Sequence, residues 1–317
     1  MATIYTAYDI VGVKEDVSDI ITNISPTQAP FLTSIGNEKV TQRVFEWQTD
    51  VLRTPQGVSA ARIEGADASF ATAAYTTMLT NYTQIFSEAI EVSGTLEATS
   101  LYGRARESAY QLAKSAAALK RDLETALVGT AQSSTLGSDA AAANMAGVQA
   151  QVDSGTVYHM GASTNLAETG ANSLVTALQQ VYTNGADPKI ILVNPANSLI
   201  VAGWATATGR TRFLDNNDEG GREIVNVIDI YRSPFGQQKV VIDRFCKSTV
   251  FPLGSTAGST IIYDPDYFAK MTLRPWTRET LAKTGDALKM MIVGEFSLKC
   301  KAPKGTAVVV DNAASGF

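Results

Sequence analysis

Few residues in this chain are suited to catalysis or metal binding, and none stands in a recognised spacing. His159 is the only histidine among 317 residues, and Cys246 and Cys300 are the only thiols. A Ser-His-Asp triad would depend on that one imidazole. No acid partner accompanies it in Val157-Tyr158-His159-Met160-Gly161, so a structural or exposed histidine is expected. Two distant cysteines make neither a zinc cluster nor a secreted disulfide framework, which fits synthesis in a reducing cell interior. The sequence contains no G-x-x-x-x-G-K-[ST], H-E-x-x-H, C-x-x-C or G-x-S-x-G. Gly254-Ser255-Thr256-Ala257-Gly258 lacks the lysine of a phosphate loop and reads as a turn. Asp215-Asn216-Asn217-Asp218-Glu219-Gly220 resembles the opening of a calcium loop, but Asn226 stands where the bidentate glutamate belongs. A solvated acidic loop tip is the simpler reading. Asp264-Pro265-Asp266 could pair two carboxylates, although a Pro-kinked turn between strands also accounts for it. No cofactor and no metal is expected, and the chain does not read as an enzyme. The enzymatic alternative is a carboxylate-dependent hydrolase carried by Asp and Glu alone.

The composition narrows the classes further. Hydrophobic residues make up 45% and charged residues 18% of the chain, with a formal net charge of -5. That apolar fraction excludes a wholly disordered protein. No run approaches the roughly 20 apolar residues of a membrane helix. The acidic balance argues against a general DNA-binding protein. Met1-Ala2-Thr3-Ile4-Tyr5 does not read as a signal peptide.

The elements that would position these residues have an unusual order. Val17, Ile20, Ile21 and Ile24 form the stripe of a short amphipathic helix. Pro26 and Pro30 then predict an extended path carrying Phe31, Leu32 and Ile35. Such a segment has little of its own to pack against and needs the body of the chain or a neighbour. A strand over 43–53 places Phe45, Trp47, Thr49 and Val51 on one face. Residues 54–69 are small and polar, and a second strand follows over 75–92. Together these predict a long two-stranded excursion, and an isolated hairpin is marginal in water. The clearest element is a helix over 96–128, capped by Thr95 and ended by Gly129. It would be roughly 50 Å long. Its charges, including Glu107, Arg121, Asp122 and Glu124, read as a solvated face with i, i+4 pairs. Residues 130–170 read as loops and short strands anchored by Val148, Val152 and Val157.

An α/β unit follows. Leu174, Ala177, Leu178, Val181 and Tyr182 mark an amphipathic helix ended by Asn184-Gly185. Lys189–Val193 is a buried strand, and Asn194-Pro195 caps the next helix. Strands over 224–231 and 239–244 flank the turn Ser233-Pro234-Phe235-Gly236, with further strands at 249–252, 260–263 and 268–273. Near the end, Leu288, Met290, Ile292, Gly294, Phe296, Leu298 and Cys300 share one face of a long strand, and Glu295 lies on the other. Pro303-Lys304-Gly305 is expected to fold Ala307–Val310 back as its antiparallel partner with one buried face.

This order of arm, hairpin, long helix, α/β unit and returning strands resembles the major capsid proteins of tailed bacteriophages. The local sequence sharpens the likeness. Pro26-Thr27-Gln28-Ala29-Pro30-Phe31 and Phe45-Glu46-Trp47-Gln48-Thr49-Asp50 look like the arm and first E-loop strand of a podovirus-type major head protein family. Ile63-Glu64-Gly65-Ala66-Asp67-Ala68, Asn81-Tyr82-Thr83-Gln84-Ile85-Phe86, Val92-Ser93-Gly94-Thr95, Val193-Asn194-Pro195 and Ala282-Lys283-Thr284-Gly285-Asp286 fit as well. The resemblance covers nearly the whole chain. One departure is Ala29, where a hydroxylated or acidic residue is expected.

The resemblance implies an α+β fold of the HK97-like type. Its parts would be an N-terminal arm at 1–42, an E-loop at 43–94 and a P-domain at 95–167 with a spine helix at 96–128. An A-domain would occupy 168–285, with 286–317 returning to the P-domain. The implied function is a structural capsid subunit, forming pentamers and hexamers of an icosahedral head. The head would enclose double-stranded DNA without sequence-specific binding. An encapsulin-like compartment shell is the alternative. Implied partners are further copies of the chain, a separate scaffolding protein, a portal protein and optionally a decoration protein, with no membrane. Synthesis would be in the host cytoplasm and the destination the virion. Candidate contacts between subunits are Ile20, Ile24, Phe31, Trp47, Arg53, Arg62, Glu64, Arg210, Arg212 and Asp215.

Overall fold

The computed structural model describes residues 28–53, 55–65, 67, 75–101, 105–129, 132–160, 166–170, 172–207, 230–246 and 259–310. The helical stripe expected at Val17–Ile24, the loops at Asp215 and Gly254 and the strand at 249–252 lie outside them. In chain order the elements begin with α1 (Pro30–Ser34), β1 (Gly36–Lys39), β2 (Val44–Thr49), β3 (Thr77–Tyr82) and β4 (Gln84–Ser93). Then come α2 (Gly94–Ala98), α3 (Glu107–Val128), α4 (Val148–Gln151), β5 (Val157–His159), α5 (Leu174–Thr183), β6 (Ile190–Val193) and α6 (Pro195–Ala207). The last are β7 (Ile230–Ser233), β8 (Gly236–Ile242), β9 (Ser259–Tyr263), β10 (Phe268–Thr280), β11 (Ala287–Cys300) and β12 (Ala307–Val310).

The strands make three sheets. A four-stranded sheet has the order β1-β10-β11-β4, a six-stranded sheet the order β5-β12-β9-β6-β8-β7, and β2 pairs with β3 alone. The six-stranded sheet is covered on both faces, and alternation along its central strands sorts the side chains. Ile191, Val193, Ile262, Ala307 and Val309 pack with Leu174, Ala177, Leu178 and Val181 of α5. Leu192, Ile261, Val308 and Val310 turn the other way, into a core with Leu119, Leu123 and Leu127 of α3. Phe86, Ile292, Phe296 and Leu298 of the four-stranded sheet join that second core. One helix therefore serves two sheets.

Local signals explain most of the α/β unit. Ser173 caps α5 by accepting the Thr176 N–H at 3.3 Å, and Asn194 caps α6 by accepting the Asn197 N–H at 2.7 Å. Gly185 takes φ +92° after α5, a conformation glycine adopts without steric cost. The hairpin of β7 and β8 turns through Pro234-Phe235, with Ser233 opposite Gly236.

Four expectations need correction. Pro30 does not extend the chain. It occupies the first helical position of α1, where its fixed φ and missing N–H suit a helix start. The long helix is divided: α2 ends at Ala98, α3 begins at Glu107, and Ser93 caps α2 instead of Thr95. At 22 residues α3 is roughly 33 Å long. Glu97 bridges the break, accepting the Ser108 hydroxyl at 2.7 Å and its N–H at 3.2 Å, and so caps α3 from outside. Third, β11 and β12 do not pair. β12 enters the other sheet, antiparallel to β9 and parallel to β5. All four of its residues are buried, which suits a central position better than a half-solvated hairpin. Fourth, β11 is buried on both faces over Ile292–Leu298, Glu295 included. The β10–β11 hairpin also spans the boundary drawn at 285/286, so one sheet holds strands from both sides of it.

Candidate functional site

Two features stand apart from an ordinary α/β protein: a ribbon leaving the body and a set of buried carboxylates. The ribbon is β2 and β3, registered from Val44 opposite Tyr82 to Thr49 opposite Thr77. Phe45, Trp47 and Thr49 alternate inward on β2, as their spacing predicts. Phe45 and Trp47 stack at 5.5 Å, and Trp47 Nε1 donates to the Cys300 carbonyl at 2.9 Å. Asn81 is fully buried. Its side chain accepts the Tyr82 and Ala146 N–H groups at 2.8 Å each and donates to the Leu298 carbonyl at 2.6 Å. Ser297 Oγ donates to the Tyr82 carbonyl at 2.6 Å. Thr83 Oγ1 donates to Glu295 at 2.6 Å, and Arg274 Nε holds the other oxygen of that carboxylate at 3.0 Å. The polar network fixes the ribbon's root to β11 and breaks the expected long second strand at Thr83.

Beyond Thr49 and Thr77 this support ends. Leu52 is 97%, Tyr75 92%, Ile63 83% and Val51 63% exposed. A concave space of about 640 Å³ separates Gln48, Tyr75 and Leu79 of the ribbon side from Asn184, Tyr267 and Pro303 of the body. Large apolar side chains gathered at the end of an excursion are unusual for a monomer and mark a surface meant for another protein.

The carboxylates sit elsewhere. Glu124 of α3 is fully buried, contrary to the solvated face expected for that helix. It accepts the Phe31 and Leu32 N–H groups at 2.8 and 2.9 Å, holding the first turn of α1. Asp243, just past β8, is also buried. Burial pushes both acids above the ordinary carboxylate range, Glu124 to about 8, with the neighbouring Asp243 charge adding to the effect on Glu124. On the surface, Lys189 bridges Asp264 and Asp266 at 2.9 Å each. That bond lowers the Asp266 carboxyl below its usual range, so the Asp-Pro-Asp carboxylates share one lysine as counter-ion. Glu38 binds Lys301 at 2.9 Å and Lys299 at 3.2 Å, which lowers its carboxyl. Among the described residues no three His, Cys, Asp or Glu side chains are grouped to hold a metal. His159 lies exposed on β5.

The ten candidate contact residues fall in different places. Arg53, Arg62 and Glu64 lie exposed on the same excursion as Leu52 and Ile63. Trp47 is half-buried at its root. Phe31 is fully buried in its own chain, against Tyr263 at 5.1 Å and Phe268 at 5.6 Å between ring centres. Its side chain is thus packed into the core of its own chain. Ile20, Ile24, Arg210, Arg212 and Asp215 lie outside the described residues. Sequence reasoning missed Asn81 and Glu124, and no local signal marks either: Glu124 follows the charged run Lys120-Arg121-Asp122, and Asn81 sits among Thr80, Tyr82 and Thr83.

Comparison with known proteins agrees with a surface built for association. A family model described as "SU10 major capsid protein" matches residues 2–313. The major capsid protein of Escherichia phage Phieco32 is 29% identical, over 97% of this chain and 96% of its own length. Among solved structures, the capsid of a native GTA particle superposes with a TM-score of 0.66 at 13% identity, covering 97% of this chain and 98% of that one. The SrpI encapsulin of Synechococcus elongatus PCC 7942 superposes less closely, at 0.55 and 11% identity, over 94% of each chain.

Proposed function

Since the chain belongs to the SU10 major capsid protein family, we propose that it assembles into the pentamers and hexamers of an icosahedral phage head around double-stranded DNA. It is a phage major capsid protein of HK97-like fold and a structural component of the virion. The ribbon and its connection, within 43–94, act as the E-loop. The segment leading to α1 acts as the arm, α3 as the spine helix, and the six-stranded sheet as the core of the A-domain. A separate scaffolding protein, a portal and, optionally, a decoration protein would complete the particle. DNA would be enclosed without sequence-specific contacts, since confined DNA can be neutralised by its own counterions.

The observation that carries this reading is the uncovered apolar end of the ribbon: Val51, Leu52, Ile63 and Tyr75. Covering them on a neighbouring subunit would supply the burial that the excursion lacks alone. Many such contacts, repeated by symmetry, make a strong shell from weak joints. The compartment-shell reading has the fold in its favour, but the family match is to phage capsid proteins.

Negative-stain imaging with light-scattering mass, on the purified chain alone and with its scaffolding partner, tests assembly. Rings or closed shells are expected. A monodisperse monomer that never assembles in either condition would overturn the proposal. Deleting 54–69 should leave soluble capsomers and abolish shells, and normal shells from that variant would defeat the E-loop assignment.

A further inference from the structure

One motif at the end of α5 has chemistry that assembly does not use. Asn184-Gly185 is the single Asn-Gly step among the chain's 317 residues, and both residues are exposed. At such a step the backbone nitrogen that follows the asparagine can attack the side-chain amide carbon, and glycine offers no Cβ to obstruct it. The new nitrogen–carbon bond expels ammonia and closes a five-membered succinimide. Water then opens either carbonyl of the ring, leaving aspartate or isoaspartate. The sum is asparagine plus water giving aspartate or isoaspartate plus ammonia. Hydroxide promotes it, because the attacking amide must first lose its proton.

The fold ties down both reacting groups. The Gly185 N–H, the nucleophile, donates to the Tyr182 carbonyl at 2.9 Å, and the Ala186 N–H closes the turn on the Val181 carbonyl at 3.2 Å. A five-membered ring needs the Gly185 nitrogen nearly eclipsed with the asparagine Cβ about the Cα–C bond. Asn184 keeps φ -73° and ψ -5°, far from that arrangement. The electrophile is held as well. Asn184 Nδ2 donates to the Lys304 carbonyl at 2.9 Å, and its Oδ1 accepts from Gln180 Nε2 at 3.4 Å. Lys304 lies in the turn Pro303–Gly305, which feeds β12, so the amide ties α5 to the lead-in of that strand. Deamidation replaces the Nδ2 donor with a carboxylate oxygen, and acceptor then faces acceptor at Lys304. The reaction thus destroys one of the bonds that delay it.

We propose that Asn184-Gly185 is a self-modifying site, kept unreactive by the C-terminal turn of α5, which converts only when this turn opens and is then left untied from 303–305. The proposal does not rest on the capsid reading.

Peptide-resolved mass spectrometry of the full chain, incubated near pH 8 folded and in urea, tests it. In urea the mass gain of deamidation should appear at Asn184 before any other asparagine. In the folded chain it should come about tenfold more slowly or slower still, since local opening must precede it. Exchange of the Gly185 amide needs the same opening and the same hydroxide, so its protection factor should match the slowing within about threefold. Asn184→Asp, which installs the product carboxylate, should lower that protection about fivefold through the lost hydrogen bond. Equal rates folded and in urea, earlier conversion of another asparagine in urea, a slowing that departs further from the protection factor, or unchanged protection in Asn184→Asp would each overturn the proposal. The first three readouts use the wild-type chain and decide the matter even if the variant does not fold.

Discussion

Asn81→Ala should cost the chain about 3 kcal/mol or more, because it strips two buried donors of their acceptor. Asn81 is 0% exposed, and its Oδ1 takes both the Tyr82 and the Ala146 N–H at 2.8 Å. The carbonyls it serves are less vulnerable. Gln151 Nε2 also donates to Ala146 O at 2.8 Å and to Leu298 O at 3.1 Å, so neither is left bare. The loss therefore falls on the two N–H groups, at roughly 1–3 kcal/mol each, plus a small cavity. At about 2 °C per kcal/mol for a large domain, the melting temperature should drop by roughly 6 °C. The assay is thermal unfolding alongside amide exchange at Tyr82 and Ala146, with exposed Gln48→Ala as a control expected within about 0.5 kcal/mol of wild type. Exchange should accelerate along β2 and β3 before the six-stranded sheet opens. A loss below about 1 kcal/mol with unchanged exchange in the ribbon would refute the claim that Asn81 fixes its root.

Gly129→Ala should destabilise by about 1–3 kcal/mol, since its Cβ would lie 2.5 Å from the Phe245 carbonyl; Gly203→Ala, an exposed helical site with nothing within 4 Å, should instead stabilise by up to about 1 kcal/mol in the same denaturation series. Cys300 is buried with its thiol pushed up to about 12, and Cys246 is also buried. Neither should react with a thiol reagent at pH 8 until denaturant is added, and rapid labelling of the folded chain would contradict the packing. The lysine pair lowers the Glu38 carboxyl, so its contribution is full above about 4.5 and lost as the pH falls below it; the Glu38→Gln variant should show a shallower acid limb in a pH-stability titration.

Much of the fold was legible in the sequence wherever a local rule governs the outcome. The α5 stripe, the Asn194 cap, the Pro234-Phe235 turn and the alternation of Phe45, Trp47 and Thr49 depend on residues within a turn or two of each other. What was not legible depends on partners far away. Glu107 and Glu124 look like exposed helix charges but are buried in the fold, Glu124 against the first turn of α1. The break at 99–106 had a visible cause in Thr99, Ser100 and Gly103, but the alanine ridge beyond it extended the helical pattern across. The strand Ala307–Val310 was expected as one half of a hairpin with a single buried face; its unbroken apolar run suits the burial of all four residues, but nothing local names its neighbours. Of the candidate contact residues, Arg53, Arg62 and Glu64 fall on the exposed excursion, whereas Phe31 reads the same in sequence whether it faces its own core or a neighbour's.

The position of β12 sets a schedule for synthesis. β5 sits at the sheet's edge, and its partner is β12, where Val157 lies opposite Val308, about 150 residues later in the chain. At translation rates of about 5–20 residues per second, β5 waits roughly 8–30 s for that neighbour to emerge. β9 likewise presents a bare edge until then. The sheet is thus among the last parts of the molecule to close, with mostly distant pairings that slow its formation. During that interval unpaired strand edges are exposed, which makes the nascent chain a natural client for chaperones and gives folding, not only association, control over when competent subunits enter the pool.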